Sequence, residues 1–208
     1  MSEVKKGYKQ TKVGVIPEEW EIVKLGEICK FQQGVQVDIE LQKTEPEEGY
    51  VKFLHIENYT QLSNDFRYIP IDKASKKYIK ENEIAIVRYG ATAGFIARGF
   101  NGVLANNLFK LIFDDRVLLS EYLYYYLISD RVFNFFQSEM AGGAMPALSF
   151  GIVKVLNIHL LPLKEQQKIA QVLTIADKEI ALLKEELETL KEQKRGLMQK
   201  LLTGEVKV

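Results

Sequence analysis

The last quarter of the chain is one unbroken heptad pattern. Leu173, Ile180, Leu187, Lys194 and Leu201 recur at intervals of seven, with Ile169, Ala176, Leu183, Leu190 and Leu197 recurring beside them. The two rows alternate at spacings of four and three, which is the a/d seam of a coiled coil. Nine of the ten positions are apolar, and neither Gly nor Pro occurs between Lys164 and Arg195. One helix cannot bury such a seam by itself, and isolated helices depend on packing for their stability. The pattern predicts a helix that pairs with another, which favours an assembly subunit over a self-contained enzyme.

The rest of the 208 residues, 47% hydrophobic overall, suffices for one core. Twenty-eight basic and 28 acidic side chains cancel. That balance argues against a histone-like polycation and leaves room for a local basic face. The lone Cys29 excludes an internal disulfide and fits a reducing compartment. With one Cys and two widely separated histidines, His55 and His159, a structural zinc site has no support. MSEVKKGYKQTKVG lacks an apolar signal region, and no run of 18 apolar residues occurs. The expected location is cytoplasmic, with no membrane contact.

The remaining pattern is mixed. Pro17 is expected to open a short helical stretch, with Trp20, Ile22, Val23, Leu25 and Ile28 as apolar anchors. FQQGVQVD (31–38) reads as an amide-rich loop around Gly34. YVKFLHI (50–56), EIAIVRY (83–89), GFIAR (94–98), LFKLIF (108–113) and KVLNIHL (154–160) are strand candidates separated by Gly, Asn or Pro. Ser120 is a plausible N-cap for one long, largely buried helix, EYLYYYLISDRVFNFFQ. AGGAMPALSFG follows as a flexible segment, and Pro162 precedes the heptad helix. The expected fold class is α+β: one globular domain over residues 1–162, then a coiled-coil helix over 163–208, with no internal repeat.

Enzyme signatures are missing. No Gly precedes Lys to make a phosphate-binding P-loop, neither His lies in an HExxH frame, and no GxSxG elbow occurs. The acidic-or-Asn, Pro, Pro, aromatic motif of amino-methyltransferases is absent, as is any Pro-Asp pair to seed the common nuclease motif. GATAG (90–94) is a short glycine loop without GxGxxG spacing. No metal site, cofactor site or catalytic centre is expected.

The chain resembles the specificity (S) subunit of Type I restriction-modification systems, in a half-length form with one target recognition domain. The segments that carry the resemblance are GVIPEEWEIVKLGEI, EIAIVRYGATAG, NNLFKLIF, GGAMPALSFGIVKVLNIHLLPLKEQQKIAQVL and LLTGEV, whose order spans nearly the whole sequence. The resemblance implies a non-catalytic protein that reads double-stranded DNA. Its helices would dock methylation (M) subunits and, in the restriction complex, the translocating nuclease (R) subunits. S-adenosylmethionine would be bound by the methylation subunit. A usual member carries two recognition domains and two helices, whereas this chain has one of each. Two copies about a two-fold axis would restore the count. Residues 165–202 give a helix of about 57 Å at 1.5 Å per residue, and about 17 base pairs cover that length at 3.4 Å each. Antiparallel helices would put the globular bodies at opposite ends, so a homodimer is expected to read a bipartite site with inverted halves.

Base recognition needs paired donors and acceptors on exposed segments, backed by cations for phosphate. Gln32, Gln33 and Gln36 qualify, although an ordinary polar loop explains them equally. Arg88, Tyr89 and Thr92 flank the glycine loop; Arg88 could contact guanine, a phosphate or Glu83. Asn106 and Asn107 are base-reading candidates that also suit a turn. Gly142, Gly143 and Met145 form a loop able to enter a groove or to act as a hinge. Lys73, Lys76, Lys77 and Lys80 fall where a helical turn could form and are the phosphate candidates, against a plain solvated face. Tyr122, Tyr124, Tyr125, Tyr126 and Trp20 read as packing residues. In the seam, Lys194 is the one polar a position; it either sets register at a cost in stability or snorkels outward. Lys178, Lys184 and Lys191 mark an outer face suited to docking. The rival reading is a coiled-coil scaffold whose globular domain binds something other than DNA.

Overall fold

In the computed structural model, residues 5–11, 14–75, 77–141 and 146–207 are described. The elements in chain order are β1 (Tyr8–Thr11), β2 (Gly14–Pro17), β3 (Glu21–Lys24), α1 (Leu25–Ile28), β4 (Lys30–Gln33), β5 (Tyr50–Leu54), α2 (Ile56–Thr60) and β6 (Arg67–Pro70). Then come β7 (Tyr78–Ile79), β8 (Ala85–Val87), β9 (Ile96–Ala97), β10 (Gly102–Leu104), β11 (Leu108–Ile112), α3 (Ser120–Leu127), α4 (Asp130–Met140), α5 (Phe150–Val155), β12 (Asn157–Leu160) and α6 (Leu163–Leu202). Single 3₁₀ turns cover Ile39–Leu41 and Ile71–Ala74. The α+β class agrees with the sequence. Contacts divide the chain into two compact units, Met1–Gln167 and Lys168–Val208, so the first unit takes in the opening residues of α6.

Two four-stranded sheets, ordered β6-β5-β10-β7 and β4-β11-β8-β9, make the body of the first unit. Every strand pair in them is antiparallel except β5 with β10. Side chains alternate between the faces of a strand, and here the two faces serve different clusters. Leu54 and Leu104 join Ala85, Val87 and Leu108 of the other sheet in one core, while Phe53 and Val103 turn to a second core with Val35, Ile69 and Ala105. Each large apolar side chain buried this way is worth about 1.5–3 kcal/mol.

The junction into α6 is pinned by polar contacts inside the first unit. Gln166 is fully buried; its carbonyl accepts the Leu119 amide at 2.8 Å, and its amide donates to Val117 O at 2.9 Å and Leu161 O at 2.8 Å. Trp20 Nε1 donates to Glu165 at 2.7 Å. Trp20 is thus half-buried packing with a polar tether, and it lies against the His159 ring at 5.7 Å.

Several expectations are corrected. Pro17 opens no helix; it ends β2, whose residues pair with β1 from Tyr8↔Pro17 to Thr11↔Gly14. A proline terminates a strand without losing a ladder bond when its missing donor faces away from the partner. The FQQGVQVD segment is not all loop, because Lys30–Gln33 pairs with β11. The helix expected from Ser120 is two helices broken at Ile128–Ser129, and Leu119 takes the cap position while Ser120 Oγ donates to Asn82 O. Ser129 draws its hydroxyl back to Tyr126 O at 2.6 Å, competing with the helical ladder. KVLNIHL splits between α5 and β12, with Ser149 capping α5 through the Ile152 amide at 3.2 Å.

The second unit is helical through Leu202, and Gly204, at φ +75°, follows its end in the left-handed region. Among its apolar seam residues, Leu173, Ile180, Leu183, Leu187, Leu190, Leu197 and Leu201 are exposed by 36–57%; Ala176 and Lys194 are exposed, and Ile169 is half-buried. Lys178, Lys184 and Lys191 are exposed too, with Lys191 paired to Glu188 at 2.6 Å.

Candidate nucleic-acid interface

The sheet β4-β11-β8-β9 brings three separate sequence segments to one edge. Gln33 pairs across from Phe109, and Val87 pairs with Leu108. Arg88, one residue beyond β8, therefore lies beside the turn that precedes β11, and its amide donates to Asn107 O at 2.8 Å. Here the side chains connect. Arg88 Nη1 donates to Gln33 Oε1 at 2.9 Å, Gln33 Nε2 donates to Asn106 O at 2.8 Å, and Asn106 Nδ2 donates to Gln36 Oε1 at 3.1 Å. The guanidinium sits 4.8 Å from the Tyr89 ring and 4.6 Å from that of Phe150. Its Nε is buried with no partner among the described residues, as is Asn107 Oδ1. Arg88 does not pair with Glu83, which holds Lys110 at 2.8 Å instead.

Gly34 makes this edge possible. Any Cβ there would overlap the carbonyl oxygens of Leu104 and Ala105, since Val35 runs beside Ala105 and its amide bonds to Leu104 O at 2.8 Å. Past Gly34 a cleft of about 500 Å³ opens, lined by Gln36, Asp38, Asp72, Lys73 and Lys77. The structure thus brings two phosphate candidates to the same cleft as an amide candidate. Lys73 lies 3.6 Å from Asp72 on the surface. The acidic groups at this cleft, and Phe150 behind Arg88, were not signalled by the sequence alone.

Other candidates lie apart from this network. Gln32 stands opposite Lys110, on the face of β4 opposite to that of Gln33. Lys80 is exposed and borders a different, smaller cavity with Asn82, Glu83 and Phe113. Thr92, in the turn between Gly90 (φ +91°) and Gly94 (φ +89°), lines an apolar groove of about 480 Å³ with Phe95, Leu127, Ile128 and Phe133. Tyr122 and Tyr126 are packing residues whose hydroxyls donate to His159 O at 2.7 Å and Asn157 O at 3.1 Å. Lys76, Gly142, Gly143 and Met145 lie outside the described residues.

Burial pushes the Cys29 thiol up to about 12 and so keeps it protonated. Among the described residues, no group of three or more His, Cys, Asp or Glu could hold a metal ion, and no helix is long and apolar enough to cross a membrane. Burial lowers His55 below its ordinary 6.5; Glu57 opposes the shift and Arg67 reinforces it. Its ring packs edge-on to Phe53 at 4.7 Å, and its buried Nε2 has no partner among the described residues. His159 is lowered by burial and by Arg131. A histidine held neutral contributes stability that is complete above the unfolded pKa and is lost as pH falls through the lower folded value. Thermal melting is therefore expected to weaken progressively below pH 6.5, and His55→Phe should flatten part of that slope; an unchanged slope would contradict the assignment.

The family model described as Type I restriction modification DNA specificity domain matches residues 17–192, and the chain belongs to this family. It is 31% identical to the Type I restriction enzyme MjaVIII specificity subunit of Methanocaldococcus jannaschii, over 90% of this chain and 43% of that protein. It is 26% identical to the MjaIX specificity subunit of the same organism, over 82% and 40%. Among solved structures, the crystal structure of the HsdS subunit from Thermoanaerobacter tengcongensis superposes with a TM-score of 0.65 at 19% identity, covering 95% of this chain and 48% of that one. A chain from work on complex assembly and conformational transition of the type I R-M system gives 0.68 at 23%, over 89% and 46%. These likenesses establish the fold. The chain spans less than half the length of each of these relatives.

Proposed function

We propose that this chain is the non-catalytic DNA-recognition subunit of a Type I restriction-modification complex. It acts as a homodimer, reads a bipartite palindromic site, and positions methylation subunits, with nuclease subunits where the system carries them. The observation that carries the reading is the presence, in one chain, of a convergent polar edge and an exposed heptad seam. The edge offers amide groups of the kind that read base edges, backed by the Arg88 guanidinium and next to Lys73 and Lys77 for phosphate. The seam offers the apolar face that a second copy would bury. Methyl transfer from S-adenosylmethionine belongs, on this reading, to the partner subunit.

Mapping modified bases in DNA treated with methylation subunits and this chain as the sole specificity subunit tests the proposal. The expected motif has two halves that are inverted copies around an unread spacer. Two unrelated halves would refute the homodimer. Duplex affinity that does not respond to salt would favour the scaffold reading, since neutralising phosphates makes binding steeply salt-dependent.

A further inference from the structure

We propose that Gln36 and Asn106 together read one adenine in each half of the target, with Arg88 and Gln33 as positioning residues; this rests on the DNA-recognition function proposed above. The polarity of the network follows from its innermost member. A guanidinium only donates hydrogen bonds, so its contact with Gln33 requires the Gln33 carbonyl to face Arg88. The Gln33 amide nitrogen is thereby turned to the other side, where it donates to Asn106 O. That bond fixes the turn that carries the Asn106 side chain. Asn106 Nδ2 in turn donates to Gln36 Oε1. Besides one N–H of Asn106 Nδ2 and one lone pair of Gln36 Oε1, the pair keeps a whole acceptor, Asn106 Oδ1, and a whole donor group, Gln36 Nε2, neither partnered among the described residues and both on exposed residues.

Used together, that acceptor and that donor would complement one base edge in the major groove. Adenine shows the N7 acceptor and the N6 amino donor side by side, whereas guanine shows two acceptors, thymine an acceptor and a methyl, and cytosine a donor. Guanine would set its O6 against Asn106 Oδ1. The network also holds both amides before DNA arrives, which lowers the ordering cost of binding. Arg88, 4.8 Å from the Tyr89 ring, 4.6 Å from the Phe150 ring and tied to Gln33, works at the rear of this device and not at its tip.

The test is selection of bound duplexes from a randomised pool by the full chain, with sequencing of what is retained and thermal melting of each variant. The wild-type chain should prefer an A·T pair at one position of each half by roughly 5- to 150-fold, the worth of one bidentate base contact. Asn106→Asp replaces the donor to Gln36 with a second acceptor. At that position alone, the preference should be lost or pass to cytosine, whose N4 amino group donates. Gln33→Leu should blur the same position and no other. If these amides only brace the loop, both variants will weaken all sequences equally or melt earlier with base preference intact, and the proposal fails. A wild-type chain that selects no motif at all overturns the DNA-recognition function, and this inference with it.

Discussion

Replacing Leu183 and Leu190 with Asp is expected to convert the protein from dimer to monomer and to abolish cooperative DNA binding. Both positions belong to the d row and are exposed by 57% and 53% in the single chain. In a two-fold dimer the substitution removes four leucines from the interface, about 6–12 kcal/mol at 1.5–3 kcal/mol each. A micromolar dimer is held by about 8 kcal/mol, so the loss is decisive before the cost of burying four carboxylates is counted. Sedimentation of the variant should give the monomer mass. Helical content should also fall, because a long helix without a partner has little to stabilise it. The sheets should be unaffected, since they are built from residues of the first unit.

Gly34→Ala is expected to be the most damaging single-methyl change in the first unit. The added carbon would meet two backbone carbonyls, Leu104 and Ala105, which are themselves buried and cannot turn aside as a flexible side chain would. Relief requires the end of β4 to draw back, at the cost of the Gly34 amide bond to Leu108 O and the Val35 amide bond to Leu104 O. Overpacking of a tight site costs about 3 kcal/mol at the upper end of its usual range, which lowers the melting temperature by roughly 6–12 °C in a protein of this size. DNA affinity should fall with it, because Gln33 and Gln36 flank the displaced residue. Unaltered melting would mean that the chain does not press against Gly34.

The contrast between these two sites shows what the sequence can reveal. α6 is legible end to end, because its period and the preceding Pro162 are local signals. Strands β5, β8 and β11 were placed correctly but drawn too long: alternation runs on through residues such as Tyr89, which makes only an isolated bridge to Ala147. α5 reads as the start of a strand, since a buried helix and a buried strand look alike in short apolar runs, and the break between α3 and α4 carries no Gly or Pro to announce it. The recognition candidates Gln33, Gln36, Arg88 and Asn106 could be picked out by residue type. Their mutual hydrogen bonds could not, because residues 33, 88 and 106 meet only through the strand order β4-β11-β8, which is set by packing at long range. Phe150 carries no such signal for the same reason: nothing near it in sequence announces the arginine ring contact it makes.

In the proposed assembly the terminal helix holds two copies of the chain together. Sedimentation equilibrium of the wild-type chain at micromolar concentration measures that directly. The predicted mass is twice the 23.9 kDa of one chain, falling to a single chain when the seam is charged. A wild-type mass of 23.9 kDa, with DNA recognition intact, would contradict it.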